Sequence, residues 1–199
     1  MKDEPECRVE LPGGGPGVFA KCGKWIAELG YDPYSEGLVI VKYMDNAPAY
    51  WGQAKALPEP ENAVALIEAM SKIMVRGLTC SQPCKCQCQL VYVASLNEGD
   101  FKHVQLDEPL SVGLHFWLLP RYQHDYGFLK EINEDGTDND GFAMIAEWRR
   151  QFLLRKKTEQ WGNFPRPKPR DGDSSEWTKY AEGIRAKLKK AVEESQNCC

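Results

Sequence analysis

The segment 111-SVGLHFWLLPRYQ-123 decides how this chain is read. Its apolar run Leu114–Leu119 ends at Pro120-Arg121-Tyr122, the pattern of a short strand. Strand side chains alternate with period two, so residues 113, 115 and 117 share one face. His115 is then either a histidine packed into a core or a nucleophile displayed on a sheet. Taken alone, a histidine in an apolar strand reads as a core residue with a satisfied partner. The rest of the chain supplies the context.

Working outward, Gln89–Leu96 (QLVYVASL) reads as a strand that stops at the turn Asn97-Glu98-Gly99-Asp100. Trp25–Tyr31 and Leu38–Tyr43 read as a hairpin around Asp32-Pro33-Tyr34-Ser35-Glu36-Gly37. Between the two strand pairs, Pro58–Leu78 turns helical. Val64, Ile67, Met70, Met74 and Leu78 are spaced by three and four to make one apolar stripe, and Glu59 and Glu61 suit the positive end of the helix dipole. Phe142–Lys157 predicts a second helix, with Phe142, Ile145, Ala146, Arg149, Phe152 and Leu153 marking its faces. The proline-rich GNFPRPKPRDGD, residues 162–173, reads as a linker. A final helix over Ser175–Gln196, capped by Asp173 or Ser174, carries the stripe Trp177, Tyr180, Ile184, Leu188 and Ala191. It is expected to pack on its own domain or on a partner subunit. The fold class is α+β, an antiparallel sheet with packed helices and an added C-terminal helix. The division is a flexible leader over 1–23, a sheet domain over 24–160, a linker over 161–174, and the terminal helix with its Cys-Cys tail over 175–199.

Composition narrows the function. The 199 residues are 42% hydrophobic and include six Trp, eight Tyr and seven Phe, enough for a real core. A net charge of −4 argues against a nucleic-acid partner, which calls for a basic surface. The run Arg149-Arg150…Arg155-Lys156-Lys157 reads as a solvated helix face. No stretch approaches the 18 or so apolar residues of a membrane span, and the acidic N-terminus lacks the features of a secretory signal, so a cytoplasmic location is expected.

Hairpin, helix, strand ending near Asn97, then His115-Phe-Trp-Leu-Leu-Pro-Arg-Tyr122: this order resembles the histidine-triad (HIT) superfamily over about residues 24–157. Gly37-Leu-Val-Ile-Val-Lys42, Ala56-Leu57-Pro58-Glu59 and Val91-Tyr-Val-Ala-Ser-Leu-Asn97 supply the other matching segments. The family motif alternates three histidines ahead of Pro-Arg; here the three positions are Gly113, His115 and Trp117. The resemblance implies that His115 sits where the family's nucleophile attacks a nucleotide α-phosphate. It also implies that Asn97 contacts phosphate or ribose, and that a homodimer forms. Gly113 keeps the carbonyl that would hold the imidazole's far nitrogen. Trp117 offers an N–H donor but is far larger than histidine. Arg121 is suited to a phosphate or to a structural salt bridge. The altered positions point to a nucleotide-binding protein with weak or lost catalysis; the alternative is a nucleotidyl hydrolase or transferase acting through His115.

The eight cysteines are expected to be thiols or metal ligands in a reducing cytosol. Cys80, Cys84, Cys86 and Cys88 offer four sulfurs for a zinc ion, although this spacing is not that of a zinc knuckle. Cys198-Cys199 offers vicinal thiols or a prenylation signal, but no nucleotide-binding glycine loop accompanies it.

Overall fold

The computed structural model describes residues 17–30, 35–44, 57–79, 86–95, 115–122, 141–161 and 175–196. Five strands form the sheet: β1 (Val18–Cys22), β2 (Trp25–Leu29), β3 (Val39–Tyr43), β4 (Cys88–Ala94) and β5 (His115–Tyr122). Among the described residues, three helices accompany them: α1 (Pro60–Gly77), α2 (Gly141–Thr158) and α3 (Ser175–Gln196). The strand order is β1-β2-β3-β5-β4, with every neighbouring pair antiparallel. The α+β class and its antiparallel sheet therefore stand as read from the sequence.

Alternation along the strands sorts the sheet into two faces. Trp25, Ala27, Leu29, Val39, Val41, Leu118 and Tyr122 enter one core with Ala63, Leu66, Met70 and Met74 of α1. The expected stripe holds over the second half of the helix, where Met70, Met74 and the following Leu78 are buried, but fails at its start: Val64 is 60% exposed, and Ala63 and Leu66 are buried instead. Apolar residues occur on adjacent positions at that start, so spacing alone leaves its phase open there. On the opposite face, Met144 and Trp148 of α2 cover Leu38 and Leu119.

Two local details differ from the expectation. The end of the expected leader is ordered: Val18–Cys22 forms β1 and pairs with β2. Its turn uses Gly23 at φ +56°, where a Cβ would lie 2.2 Å from a carboxylate oxygen of Glu59. Strand β5 also continues through Pro120 to Tyr122 rather than stopping at Leu119. Proline is tolerated because β3 reaches only as far as Leu118, leaving β4 as the sole ladder neighbour at Pro120. The Ser35 hydroxyl donates to the Pro120 carbonyl at 2.8 Å.

Glu59, the residue that precedes helix α1, is left-handed at φ 43°. Its carboxylate accepts from the Asn62 amide at 2.9 Å and the Lys24 N–H at 3.1 Å. Those bonds, led by Asn62, hold the Glu59 carboxyl below its usual range. The helix is thereby tied to the β1–β2 turn.

Helix α3 packs on its own chain. Trp177, Ala181, Ile184 and Leu188 enter the core shared by α1 and the sheet. The two helices meet at Gly77, where a Cβ would lie 2.8 Å from the Lys187 carbonyl oxygen. The Tyr180 hydroxyl accepts from the Gly37 N–H at 2.7 Å, and Arg185 donates to the Val18 carbonyl at 2.6 Å. One helix thus clasps the start of β1 and the approach to β3.

Candidate functional site

Strand β5 sends Phe116, Leu118 and Tyr122 toward the α1 core. Its alternate residues, His115, Trp117, Leu119 and Arg121, face the α2 side. Register then fixes their neighbours. Lys42 of β3 pairs with His115, and Ile40 pairs with Trp117. One strand further, Ile26 pairs with Lys42 and Glu28 pairs with Ile40. Three adjacent strands therefore bring a carboxylate, an ammonium and an imidazole onto one face.

Lys42 Nζ lies 2.5 Å from Glu28 Oε1, a diagonal ion pair across β2 and β3. Glu28 and His115 are both 7% exposed. Charged groups at that depth are held only when paired, because desolvation otherwise penalises the ionised form. The His115 and Trp117 rings stack, with centroids 6.3 Å apart and planes 30° from parallel. The His115 carbonyl accepts from the Ser95 hydroxyl at 3.2 Å, which anchors the start of β5 to the end of β4.

Trp117 packs against the Leu38, Leu119, Met144 and Trp148 cluster. Its indole joins the α2-side packing and fills the ground beside His115. Arg121 is 2% exposed; its guanidinium donates to the Tyr92 hydroxyl and lies 5.7 Å from the Tyr92 ring centroid. Tyr92 in turn contacts Trp148 at 6.1 Å between centroids. Arg121 is thus engaged in a buried stack between the sheet and α2. Asn97 and Gly113 lie outside the described residues.

Sequence reading singled out His115, Trp117 and Arg121 but missed Lys42 and Glu28. The available signal was weak: Lys42 is the one charged residue in LVIVKY, two positions from Ile40. Only the strand register shows that it faces His115.

No family model matches this chain, and no curated protein matches it. Among solved structures, a Zn-bound histidine triad family protein from Mycobacterium smegmatis is similar at 13% identity and a TM-score of 0.36, covering 73% of this chain and 89% of that one. A likeness at that level assigns neither a ligand nor an activity.

The zinc expectation is corrected at Cys86. That residue is disulfide-bonded, and a sulfur bound to sulfur is not a thiolate ligand. Cys88 is buried, and its thiol donates to the Leu90 carbonyl at 3.2 Å. Cys80 and Cys84 lie outside the described residues. Among the described residues, no group of three or more His, Cys, Asp or Glu is placed to hold a metal. Cys22 is disulfide-bonded as well, so the expectation of reduced thiols fails at two positions. Among the described residues, no helix is long and apolar enough to cross a membrane.

Proposed function

We propose that this chain is a divergent histidine-triad-like protein that binds a nucleotide, or a similar phosphate-bearing small molecule, at the His115 face, with catalysis weakened or lost. The observation that supports this reading is the pairing of Lys42 with His115 on the sheet face opposite α1. An ammonium and an imidazole side by side suit a phosphate, which accepts from both. Glu28 limits the site: its carboxylate offsets the ammonium, so an incoming anion shares Lys42 with it.

Two features favour binding over turnover. The third position of the motif holds Trp117, which is committed to packing with α2. Arg121 is committed to Tyr92. Both side chains are thus drawn into packing contacts, and losing one oxyanion donor costs about 10²–10³ in rate. The alternative, a nucleotidyl hydrolase or transferase with His115 as nucleophile, draws only on the position of the imidazole. A homodimer remains part of the proposal, as the resemblance implies.

Calorimetric titration with AMP and GMP tests the reading. Saturable heat is expected, weakened at least about tenfold in Lys42→Ala and His115→Ala by loss of charge-assisted bonds. Flat traces with the native protein overturn it. Turnover of adenosine phosphoramidate that disappears in His115→Ala would move the assignment to the enzyme alternative.

A further inference from the structure

Helix α2 presents two unlike faces. Met144, Trp148 and Phe152, spaced by four, are buried. The outward arc carries Arg149, Arg150, Lys156 and Lys157, all exposed, around Leu153 and Leu154, which are 52% and 47% exposed. Arg155 lies nearer the inward side and is half-buried. Over Gly141–Thr158 there are five cations and one carboxylate, Glu147, although the whole chain is net negative. Glu147 is spoken for: it binds Arg150 at 2.6 Å. That ion pair neutralises Arg150, so the exposed positive charge beside the adjacent leucines is carried chiefly by Lys156 and Lys157.

We infer that the outward face of α2 docks on an anionic lipid surface. Its cations meet headgroup phosphates while Leu153 and Leu154 enter the boundary of the acyl region. The combination separates this occupant from others. A cationic face alone is satisfied by water and salt, and half-exposed leucines alone are ordinary on a protein surface. Adjacent leucines flanked by lysine and arginine on the outward side of a helix whose other side is buried fit an interface whose outer layer is anionic and whose inner layer is apolar. Each cation near such a surface contributes roughly a fivefold gain in partitioning. The helix does not span anything; its buried face stays in the core of the protein.

Co-sedimentation of the full chain with vesicles tests the inference. Phosphatidylcholine vesicles are compared with vesicles that also contain phosphatidylserine, each at low and high salt. Binding at least about tenfold greater to the anionic vesicles, lost at high salt, is expected from the screening of surface charge. The double variant Lys156→Glu/Lys157→Glu should lose this binding. Leu153→Ser/Leu154→Ser should lower it several-fold with the charge unchanged. Circular dichroism identifies any variant that fails to fold, and the lipid and salt comparison on the native protein decides the matter without variants. Equal binding to both vesicle types, no binding to either at low salt, or binding indifferent to the lysine reversal overturns the inference. So does recruitment of an acidic protein partner or self-association through this face with no lipid dependence.

Discussion

Lys42 and His115 stand opposite one another across the β3–β5 ladder, while Lys42 also reaches diagonally to Glu28 at 2.5 Å. The imidazole therefore sits beside a compensated charge rather than a bare cation. Removing one member of such a pair leaves the other buried without its counter-charge. Lys42→Met should destabilise the protein by on the order of 2–3 kcal/mol, below the usual cost for a fully buried pair because the lysine side chain keeps 23% exposure. Adding Glu28→Gln should recover most of that loss. Urea unfolding of both single variants and the double variant measures the coupling, and strictly additive losses would refute it.

Tyr180 makes a second long-range tie of the same kind, from α3 to the Gly37 N–H at 2.7 Å. Burial, the largest influence, pushes its phenol far above the ordinary range, and neighbouring Glu36 adds to the shift. A group whose folded pKa is raised contributes stability that is complete below its unfolded pKa, about 10 for tyrosine, and is lost as pH climbs beyond it. Tyr180→Phe should cost about 1–3 kcal/mol at neutral pH by stranding the Gly37 donor. The gap between variant and native protein should narrow above about pH 10, where the native phenol meets its linkage penalty. A gap that widens with pH would contradict this account.

Much of this architecture was legible in the chain because alternation and turn residues mark strands locally. The β2–β3 hairpin, β4, β5 and all three helices appear close to where periodicity places them. Strand β1 was not legible: VFAKC is five residues long and directly follows a glycine- and proline-rich run. The phase of the first turns of α1 was not legible either, since Ala63, Val64, Ala65, Leu66 and Ile67 offer apolar side chains all round the helix; from Met70 to Leu78 the expected stripe is the buried one. At the site, period two placed His115 and Trp117 on one face, but no local pattern pairs Lys42 with His115 or commits Arg121 to Tyr92. Those relations depend on register, which is set by pairing between distant segments. The disulfide state of Cys22 and Cys86 depends likewise on spatial proximity and redox conditions, neither of which is written in cysteine spacing.

Two glycines make opposite predictions for the same substitution. A Cβ at Gly77 would meet the Lys187 carbonyl oxygen at 2.8 Å and the Ala191 Cβ at 2.9 Å. The first obstacle is backbone, so the α1–α3 contact must shift. Gly77→Ala should destabilise by about 1–3 kcal/mol despite alanine's better helix propensity. At Gly183, within α3, a Cβ meets nothing within 4 Å. Gly183→Ala should stabilise by about 0.5–1 kcal/mol, mainly by restricting the unfolded chain. Urea midpoints that move in the same direction for both would show that the helix–helix approach at Gly77 is not the constraint described.

Trp117 is where the proposed loss of catalysis is most directly testable. Its ring stacks on His115 and packs with Leu38, Leu119, Met144 and Trp148, so it contributes to the α2-side packing while filling the ground next to the imidazole. Trp117→His shortens that side chain and places a second imidazole two residues along the same face. The lost packing should cost about 1–3 kcal/mol. If the indole is the main block, the variant gains hydrolysis of adenosine phosphoramidate by up to about 10²–10³ over the native protein, the contribution typical of one well-aimed oxyanion donor. Trp117→Ala separates opening the space from supplying a donor: it should improve AMP binding without the gain in turnover. The gain in Trp117→His must vanish when His115→Ala is added, because the chemistry requires the nucleophile. A folded Trp117→His protein with no turnover, and AMP affinity unchanged in Trp117→Ala, would mean that the indole is not what separates this face from catalysis.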